Sequence, residues 1–350
     1  MSFSVSTRGN RKIARRCTVL LMLLWHPTEI DVGFASSGKP GTGVVVKNLG
    51  KVIRSVQAFG REFSRKSSSA QLGPAPALGV ALGGGFARGI AHVGVLKVLE
   101  EEGIPVRFIA GTSVGALIGA AYCSGLSIAE LEEVARKVRF ATFARWTVSR
   151  YGFATNDRMV AFLTRTLKAK TFEDMRIPLG VVATEFNTGN GVVFRSGSLI
   201  DPVRASCAYP GMFLPVNMDG HCYVDGMLSH PVPTVPVREM GAQRVLAVHL
   251  KGSWSCKNEP RHLFDVIGQS FAIAQDRMSE GWRKGADVVI EPDVAGFDFD
   301  DFKRAGELLR VGEVAMRRAL PAVRKWFESP ADRTAKFRPI IPASASMPAD

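Results

Sequence analysis

The chain has 350 residues, 46% of them hydrophobic, which is enough to form the core of one large α/β domain or of two small ones. No stretch of about 18 apolar residues occurs, so an ordinary membrane-spanning helix is not expected. The formal net charge is +13, and the five cysteines include no CxxC spacing, which argues against a zinc site and a disulfide framework and favours a reducing compartment.

The positive charge lies mainly in residues 1–70, a basic N-terminal arm with twelve Lys and Arg residues against three acidic ones. This balance of +9 leaves +4 for the remaining 280 residues, so the rest of the chain is nearly neutral. Such an arm could dock on an anionic membrane surface, bind nucleic acid or remain solvated. We predict the anionic membrane surface as its partner and expect no nucleic acid, because the sequence contains no nucleic-acid reading motif.

Two segments of this arm have recognisable patterns. Basic residues within 11–16 precede a short apolar run at 18–25 and small residues at 33–35, the order of a secretory signal or anchor. The run is short for such a signal, so we favour a cytoplasmic chain, or one peripheral on the inner membrane, over export. Residues 44–66 predict a basic amphipathic helix that could lie on a bilayer or pack on the protein.

Strand and helix patterns alternate from residue 78, after a Ser/Pro/Ala-rich linker. The predicted strands are 78–82, 106–110, 179–184, 192–195, 221–224, 245–250 and 288–290. The predicted helices are 88–102, 114–123, 128–138, 157–167, 200–208, 261–283 and 302–327. This alternation predicts an α/β fold with a mostly parallel sheet that is covered on both faces. The Pro/Ala-rich tail at 329–350 is expected to be disordered.

One motif, Gly111-Thr112-Ser113-Val114-Gly115, lies where a predicted strand meets a predicted helix. A sharp turn of this kind, a nucleophile elbow, strains its central residue, and the flanking Gly111 and Gly115 let the chain close up. The Ser113 hydroxyl is then exposed at a helix N-terminus, where the dipole favours negative charge. The pattern alone arises by chance in about one chain in four of this composition, so the interpretation depends on the flanking strand and helix.

A glycine-rich loop at 83–89 also joins a strand to a helix and presents backbone amides at a helix N-terminus. Such a loop can hold a dinucleotide pyrophosphate or form an oxyanion hole. The dinucleotide pattern needs glycine at its first, third and sixth positions, but from Gly83 the sixth residue is Arg88 and from Gly84 the third is Phe86. We therefore predict an oxyanion hole, near which Arg88 could place a positive charge.

A nucleophilic serine needs a base. Asp225 ends a predicted strand beside a glycine, so its carboxylate could reach over the sheet edge toward the serine, although such a pair is often only a turn. Among the histidines, His92 is expected to pack or cap on the helix after the loop, and His249 to lie in the core. His221 and His230 flank Asp225 in the sequence and remain candidates for the base.

Four blocks, GGGFARG, GTSVG, ASCAYPGMFLPV and VDGML, resemble the patatin-like phospholipases in order and spacing. A further stretch, ADVVIEPDVAGFDFDDFKRAGELLRVGE, resembles the bacterial members of that family. The resemblance covers residues 76–328 and implies a three-layer α/β/α patatin-like acyl-hydrolase domain with a mostly parallel central sheet. It does not extend to the basic arm.

The resemblance implies a lipid acyl hydrolase of the phospholipase A or lysophospholipase type, acting on a phospholipid or lysophospholipid without a metal or another cofactor. Ser113 matches the family nucleophile, and Asp225 matches the base of a dyad that lacks histidine and works through an acyl-enzyme.

Gly84, Gly85 and Phe86 match the oxyanion loop of the family, and Arg88 stands at its Arg or Lys position. Phe86 replaces a glycine found in many members, and its amide suffices for the role provided that φ is not positive there. Met227 replaces the usual Gly or Ala after the Asp-Gly pair and is expected to narrow the space near the base.

Other functions stay open. A non-phospholipid carboxylesterase, a thioesterase or an acyltransferase could use the same dyad, and a panel of acyl chains and headgroups would separate them. A non-catalytic lipid-binding protein could retain the fold, although the intact serine, aspartate and glycine loop argue against it. Nucleic-acid binding is suggested only by the high isoelectric point, about 9.8.

Overall fold

The computed structural model describes residues 75–149, 151–251 and 263–328. The basic arm at 1–70 and the tail at 329–350 lie outside these residues, so what we expect of them, including the amphipathic helix and its membrane partner, stays a prediction. None of the described helices is long and apolar enough to cross a membrane.

The described strands are β1 (Leu78–Leu82), β2 (Val106–Thr112), β3 (Arg145–Ser149), β4 (Gly152–Thr155), β5 (Leu179–Glu185), β6 (Gly191–Phe194), β7 (Gly211–Phe213), β8 (Val216–Met218), β9 (His221–Asp225), β10 (Arg244–Val248) and β11 (Val288–Ile290). The described α-helices are α1 (Ala91–Glu101), α2 (Val114–Cys123), α3 (Ile128–Lys137), α4 (Phe140–Phe143), α5 (Asp157–Thr166), α6 (Ile200–Ser206), α7 (Thr234–Glu239), α8 (Leu263–Lys284) and α9 (Ala305–Arg324). Short 3-10 turns are at Phe86–Ile90, Gly226–Leu228 and Phe302–Arg304.

Eight strands form the central sheet in the order β11-β10-β1-β2-β5-β9-β8, with β6 also paired to β5. The pairings from β11 to β5 are all parallel, whereas those that join β6, β9 and β8 to the sheet are antiparallel. A separate sheet holds β3, β4 and β7. Helices cover both faces of the central sheet, so the predicted three-layer α/β/α fold with a mostly parallel sheet is confirmed.

Both faces of the sheet are buried because alternate residues of a strand point to opposite faces. In β1, the two leucines and the valine join a large core with α1, α2 and α9, whereas Ala81 joins a smaller core with α7 and α8. Gly79 faces α7, where an added Cβ would lie 2.6 Å from Val237. The small residues of this face therefore let α7 pack close to the sheet.

One strand, β5, sets the distance between the ends of β2 and β9. Residues 181–184 of β5 pair with β6 on one edge, so β2 and β9 share the other edge. There Thr112, the last residue of β2, pairs with Val182, and Asp225, the last residue of β9, pairs with Ala183. Because β2 and β9 run in opposite directions, their carboxyl ends meet on β5, and the residue that follows Thr112 lies beside Asp225.

Candidate active site

The serine of the predicted elbow lies in the turn between β2 and α2. Ser113 has φ 56° and ψ −125°, a left-handed backbone conformation that costs a non-glycine residue about 1–2 kcal/mol. The Ser113 amide donates to Ser206 Oγ at 2.8 Å, and Ser206 Oγ donates to the Val182 carbonyl at 2.6 Å. The fully buried Ser206, which sequence analysis did not single out, therefore ties the strained turn to β5.

Two glycines of the elbow let backbone segments approach closely. A Cβ at Gly111 would lie 2.5 Å from the Gly115 carbonyl oxygen, inside the turn itself. A Cβ at Gly115 would lie 2.2 Å from the Leu82 carbonyl oxygen and 2.7 Å from that of Gly83. Gly115 thus brings the start of α2 against the end of β1, where the glycine-rich loop begins.

Gly115→Ala is expected to lower the free energy of unfolding by about 2–3 kcal/mol, because the new Cβ must push backbone apart rather than a flexible side chain. Urea denaturation measures this loss. Gly281→Ala is the matched control, since nothing lies within 4 Å of a Cβ at this position of α8, and alanine favours a helix by up to about 1 kcal/mol. Equal stability of the two variants would contradict the close approach at Gly115.

Ser113 Oγ donates a hydrogen bond to Asp225 Oδ2 at 2.7 Å, and Asp225 Oδ1 accepts the Met227 amide at 2.9 Å. Asp225 is 1% exposed. Burial raises the pKa of its carboxyl to about 7, against the lowering effect of the bonds from Ser113 and Met227. The carboxylate is therefore a stronger base than an ordinary aspartate, and it is substantially ionised near neutral pH.

The four described histidines form no hydrogen bond with Ser113 or Asp225. His92 is fully buried on α1, where its Nε2 donates to the backbone of the glycine-rich loop, and His249 Nδ1 bonds to a glutamate at 2.9 Å. His221 is exposed, and buried Nδ1 of His230 has no partner among the described residues. The proximity of His221 and His230 to the aspartate in sequence is thus not matched by a bond to the Ser113–Asp225 pair.

The backbone amides of the glycine-rich loop fall into two groups. The Gly84 amide donates to the Pro231 carbonyl at 3.2 Å and is already engaged. The Gly85 and Phe86 amides have no acceptor among the described residues. The Met227 side chain packs on the loop, since a Cβ at Gly84 would lie 2.2 Å from Met227 Sδ. Two of the three predicted oxyanion amides are therefore available to a ligand.

Two carbonyls of the same loop contact the side chains of Arg88 and His92. His92 Nε2 donates to the Gly83 carbonyl at 2.8 Å, and burial lowers the pKa of His92 to about 4, so the ring is neutral at physiological pH. Arg88 is only 5% exposed, and its Nε contacts the Gly85 carbonyl at 3.5 Å. Arg88, predicted to place charge near the loop, thus also helps to orient it.

Phe86 has φ 53°, so the condition that φ is not positive at this residue is not met. The ring packs edge-on against Tyr209 and Phe299, with ring centroids 4.9 Å and 5.7 Å away. These aromatic contacts hold Phe86 in a conformation that glycine adopts without strain. Despite the positive φ, the Phe86 amide forms no hydrogen bond with the described residues.

We expect Phe86→Gly to be more stable than Phe86→Ala by about 1 kcal/mol, which reverses the usual order of these residues. Both variants lose the aromatic contacts, but only glycine relieves the strain of the positive φ. Chemical denaturation of the two variants side by side measures the difference. An alanine variant that is the more stable of the two would show that φ is negative in solution.

An apolar cavity of about 100 Å³ begins at Ser113. Ser113, Thr166 and Cys207 are among its lining residues, and all the other described residues that line it are aliphatic, aromatic or methionine. The rest come mostly from the helices α1 to α5, and they include Leu117, Leu131, Phe143, Phe162 and Leu163. Such a lining favours an alkyl chain and excludes charged groups, and the volume suits the few carbons of an acyl chain that lie next to its carbonyl.

Cys207 is the other potential nucleophile beside this cavity. Burial raises the pKa of its thiol well above the usual value, and the nearby Asp225 raises it further. A neutral thiol is a weak nucleophile, so the protonation state of Cys207 favours Ser113 as the nucleophile. Within the described part of the chain, no group of three or more His, Cys, Asp or Glu side chains could hold a metal ion.

Part of the chain is similar to known proteins. The family model of the patatin-like phospholipases matches residues 80–238, which contain the glycine-rich loop, Ser113 and Asp225. An uncharacterised NTE family protein of Mycobacterium bovis is 33% identical over 181 residues, 51% of this chain and 50% of that protein. Human patatin-like phospholipase domain-containing protein 6 is 33% identical over 203 residues, 55% of this chain and 15% of that protein. Lysophospholipase NTE1 of Mycosarcoma maydis is 31% identical over 230 residues, 63% of this chain and 12% of that protein.

The crystal structure of VipD from Legionella pneumophila shares the fold, with a TM-score of 0.50 at 15% sequence identity over 71% of this chain and 67% of that chain. The domain is therefore a three-layer α/β/α domain, in which the glycine-rich loop and the serine turn follow the carboxyl ends of the neighbouring strands β1 and β2. Residues 80–238 match the patatin-like phospholipase family, which confirms the resemblance that the sequence blocks predicted. Its match spans half the length, or less, of these curated relatives.

Proposed function

We propose that the chain is a lipid acyl hydrolase of the phospholipase A or lysophospholipase type, with Ser113 as nucleophile and Asp225 as general base. The observation that carries the proposal is the 2.7 Å hydrogen bond from Ser113 Oγ to Asp225 Oδ2 at the start of an apolar cavity. The serine can attack an ester, the aspartate can take its proton, and the cavity can hold the part of the acyl chain next to the carbonyl. The match of residues 80–238 to the patatin-like phospholipases and the lysophospholipase among the relatives support this substrate class.

In the first step the acyl chain lies in the apolar cavity and the ester carbonyl carbon lies at Ser113 Oγ. As Oγ attacks, its proton passes to Asp225 Oδ2 and negative charge develops on the carbonyl oxygen. The unpartnered amides of Gly85 and Phe86 donate to that oxygen, and the loss of one such donor typically costs about 3–4 kcal/mol of transition-state stabilisation. Gly84 is not included, because its amide is engaged elsewhere.

In the second step Asp225 returns the proton to the oxygen of the departing alcohol, and the acyl group remains on Ser113 Oγ. Water then enters where the alcohol was. Asp225 accepts a proton from this water as its oxygen attacks the acyl carbonyl, and the proton finally returns to Ser113 Oγ when the fatty acid leaves. One residue therefore serves as base and acid in turn.

The proposed base predicts a pH profile. We expect kcat/KM to rise about tenfold per pH unit at acidic pH and to level off above about pH 7, because Asp225 accepts a proton only when ionised and burial raises its pKa to about 7. Hydrolysis of a soluble ester with a leaving group that does not titrate, measured from about pH 5 to about pH 9, gives the profile. A rate that stays constant down to about pH 5 would contradict a buried aspartate as the base.

A substrate panel with one constant acyl chain tests the function. The panel comprises a diacyl phospholipid, a lysophospholipid, a monoacylglycerol, an acyl-CoA and a p-nitrophenyl ester, with fatty-acid release as the readout. We expect the phospholipid or the lysophospholipid to give the highest kcat/KM. A preference for acyl-CoA or for the p-nitrophenyl ester would indicate a thioesterase or a carboxylesterase, and acyl transfer to an added alcohol would indicate an acyltransferase. If the folded protein binds these lipids but hydrolyses none of them, its function would be lipid binding rather than hydrolysis.

A further inference from the structure

A second cavity, of about 510 Å³, adjoins the glycine-rich loop. Gly84, Gly85 and Phe86 line it, and Phe86 lines the apolar cavity as well. The two cavities therefore meet at the loop whose amides are proposed to hold the oxyanion. Since the acyl chain is proposed to occupy the apolar cavity, the second cavity lies where the alcohol part of the ester would be.

Two polar atoms of residues that line the second cavity are buried and have no hydrogen-bond partner among the described residues, namely Tyr209 Oη and Gln269 Oε1. Tyr209 is 5% exposed, and its ring is fixed by edge contacts with Phe86 at 4.9 Å and with Phe271 at 5.1 Å. An unpaired buried polar atom destabilises a folded protein, and a ligand that pairs with it removes that cost. The Tyr209 hydroxyl, as a donor, and Gln269 Oε1, as an acceptor, could therefore bind a polar ligand beside the loop.

The second cavity also carries a positive balance of charge. Among the described residues that line it, Arg88, Lys251 and Arg277 stand against one carboxylate, Asp276. Lys251 and Arg277 are exposed, and neither has an ion-pair partner among the described residues. Two cations and two polar atoms without a partner among the described residues favour an anionic and hydroxyl-bearing ligand over a neutral apolar one.

We propose that the second cavity binds the phosphate-bearing leaving group of a glycerophospholipid. Tyr209 Oη and Gln269 bond the glycerol oxygens, and Lys251 and Arg277 pair with the phosphate. This assignment rests on the proposed function, because the cavity receives a leaving group only if Ser113 takes the acyl group. It makes a phosphate-bearing ester a better substrate than a neutral acylglycerol with the same acyl chain.

The test compares kcat/KM of the full chain for a lysophospholipid and for a monoacylglycerol that share one acyl chain. We expect the wild type to favour the lysophospholipid by about tenfold or more, and Arg277→Gln to lower that ratio about fivefold. The control is Arg107→Gln, which removes an exposed cation near the amino end of β2, at the opposite end of the strand from Ser113, and should leave the ratio unchanged.

Tyr209→Phe separates ligand binding from folding. It removes only the hydroxyl and keeps the ring contacts, so kcat/KM should fall about tenfold for both substrates, because both contain glycerol. Its Tm should not fall, since the hydroxyl has no protein partner to lose among the described residues. A lower Tm with unchanged kcat/KM would assign the hydroxyl to folding and overturn its proposed role.

The possible failures of this proposal and of the proposed function are distinguishable. If the wild type cleaves neither substrate, the hydrolase proposal fails and this inference fails with it. If the wild type cleaves both equally well, or if Arg277→Gln leaves the ratio unchanged, hydrolysis stands but the second cavity does not bind the phosphate.

Discussion

Ser113→Ala is expected to reduce fatty-acid release by about four orders of magnitude or more, to the background of the assay. The change removes the hydroxyl that lies at the apolar cavity and donates to Asp225, and the buried thiol of Cys207 is held in its neutral, unreactive form. The measurement is fatty-acid release from the best substrate of the panel, with circular dichroism and thermal denaturation to show that the variant is folded.

Ser113→Gly is the matched control for this variant. It should be equally inactive but more stable than Ser113→Ala by about 1 kcal/mol, because glycine adopts φ near 56° without strain. If Ser113→Ala keeps more than about 1% of the wild-type kcat/KM, the nucleophile lies elsewhere.

Asp225→Asn is expected to lower kcat by about three orders of magnitude. Asparagine has the same shape, and its Oδ1 can still accept the hydrogen bond from the Met227 amide. Its Nδ2, in place of Asp225 Oδ2, can only donate to Ser113 Oγ, so it cannot take the serine proton. The matched variants are His221→Ala and His230→Ala, which should stay active. If either histidine variant were inactive while Asp225→Asn kept most of its activity, the aspartate would not be the base.

The same substitution should stabilise the protein at alkaline pH. In the folded chain burial raises the pKa of Asp225 to about 7 from the usual 3.8, so folding favours the protonated carboxyl. That contribution to stability is fully present below the pKa of the unfolded chain and is lost as pH rises through the pKa of the folded chain. The free energy of unfolding of Asp225→Asn, relative to that of the wild type, should therefore increase by a few kcal/mol as the pH rises from about 4 to about 8. Urea denaturation at the two pH values measures the gain, and a difference that does not change with pH would contradict the burial of an ionised carboxylate.

Apolar runs and helical spacing predicted the elements that pack on the central sheet. Leu78–Leu82 and Val114–Cys123 have the predicted bounds, because an uninterrupted run of apolar and small residues leaves a clear signal in the sequence. The short elements β3, β4, β7, β8, α4 and α7 were not predicted. They have three to six residues each, too few for a periodic pattern, and tertiary contacts decide their conformation. The predicted helix at 88–102 begins instead as a 3-10 turn, where Gly89 lies against Val114.

Local patterns identified Ser113 but not its partner. The hydrogen bond between Ser113 and Asp225 joins residues 112 positions apart in sequence, and the register of two strands on β5 creates it. No local signal encodes such a register, so the residues alone left the base open and the family resemblance supplied Asp225. Ser206 was missed for a related reason, because a single buried serine at the end of a short helix has no pattern of its own.

The glycine-rich loop, which we propose as the oxyanion hole, shows a different limit of sequence reasoning. Gly84, Gly85 and Phe86 were predicted as a set of donors, yet the Gly84 amide bonds to a carbonyl that lies far away in sequence. The positive φ of Phe86 was not expected either, since non-glycine residues rarely adopt it. Both features follow from tertiary packing around the loop rather than from the loop sequence.

The central claim is that the acyl group passes through Ser113 Oγ. The most direct measurement treats the full chain with a long-chain alkyl fluorophosphonate, whose phosphorus is attacked by an activated serine with loss of fluoride, and then locates the adduct by peptide mass spectrometry. We predict one phosphonyl group per chain on Ser113, a loss of hydrolysis in proportion to labelling, and no adduct on Ser113→Ala. Loss of hydrolysis with the adduct on another residue such as Cys207, or full labelling of Ser113 without loss of hydrolysis, would contradict the claim.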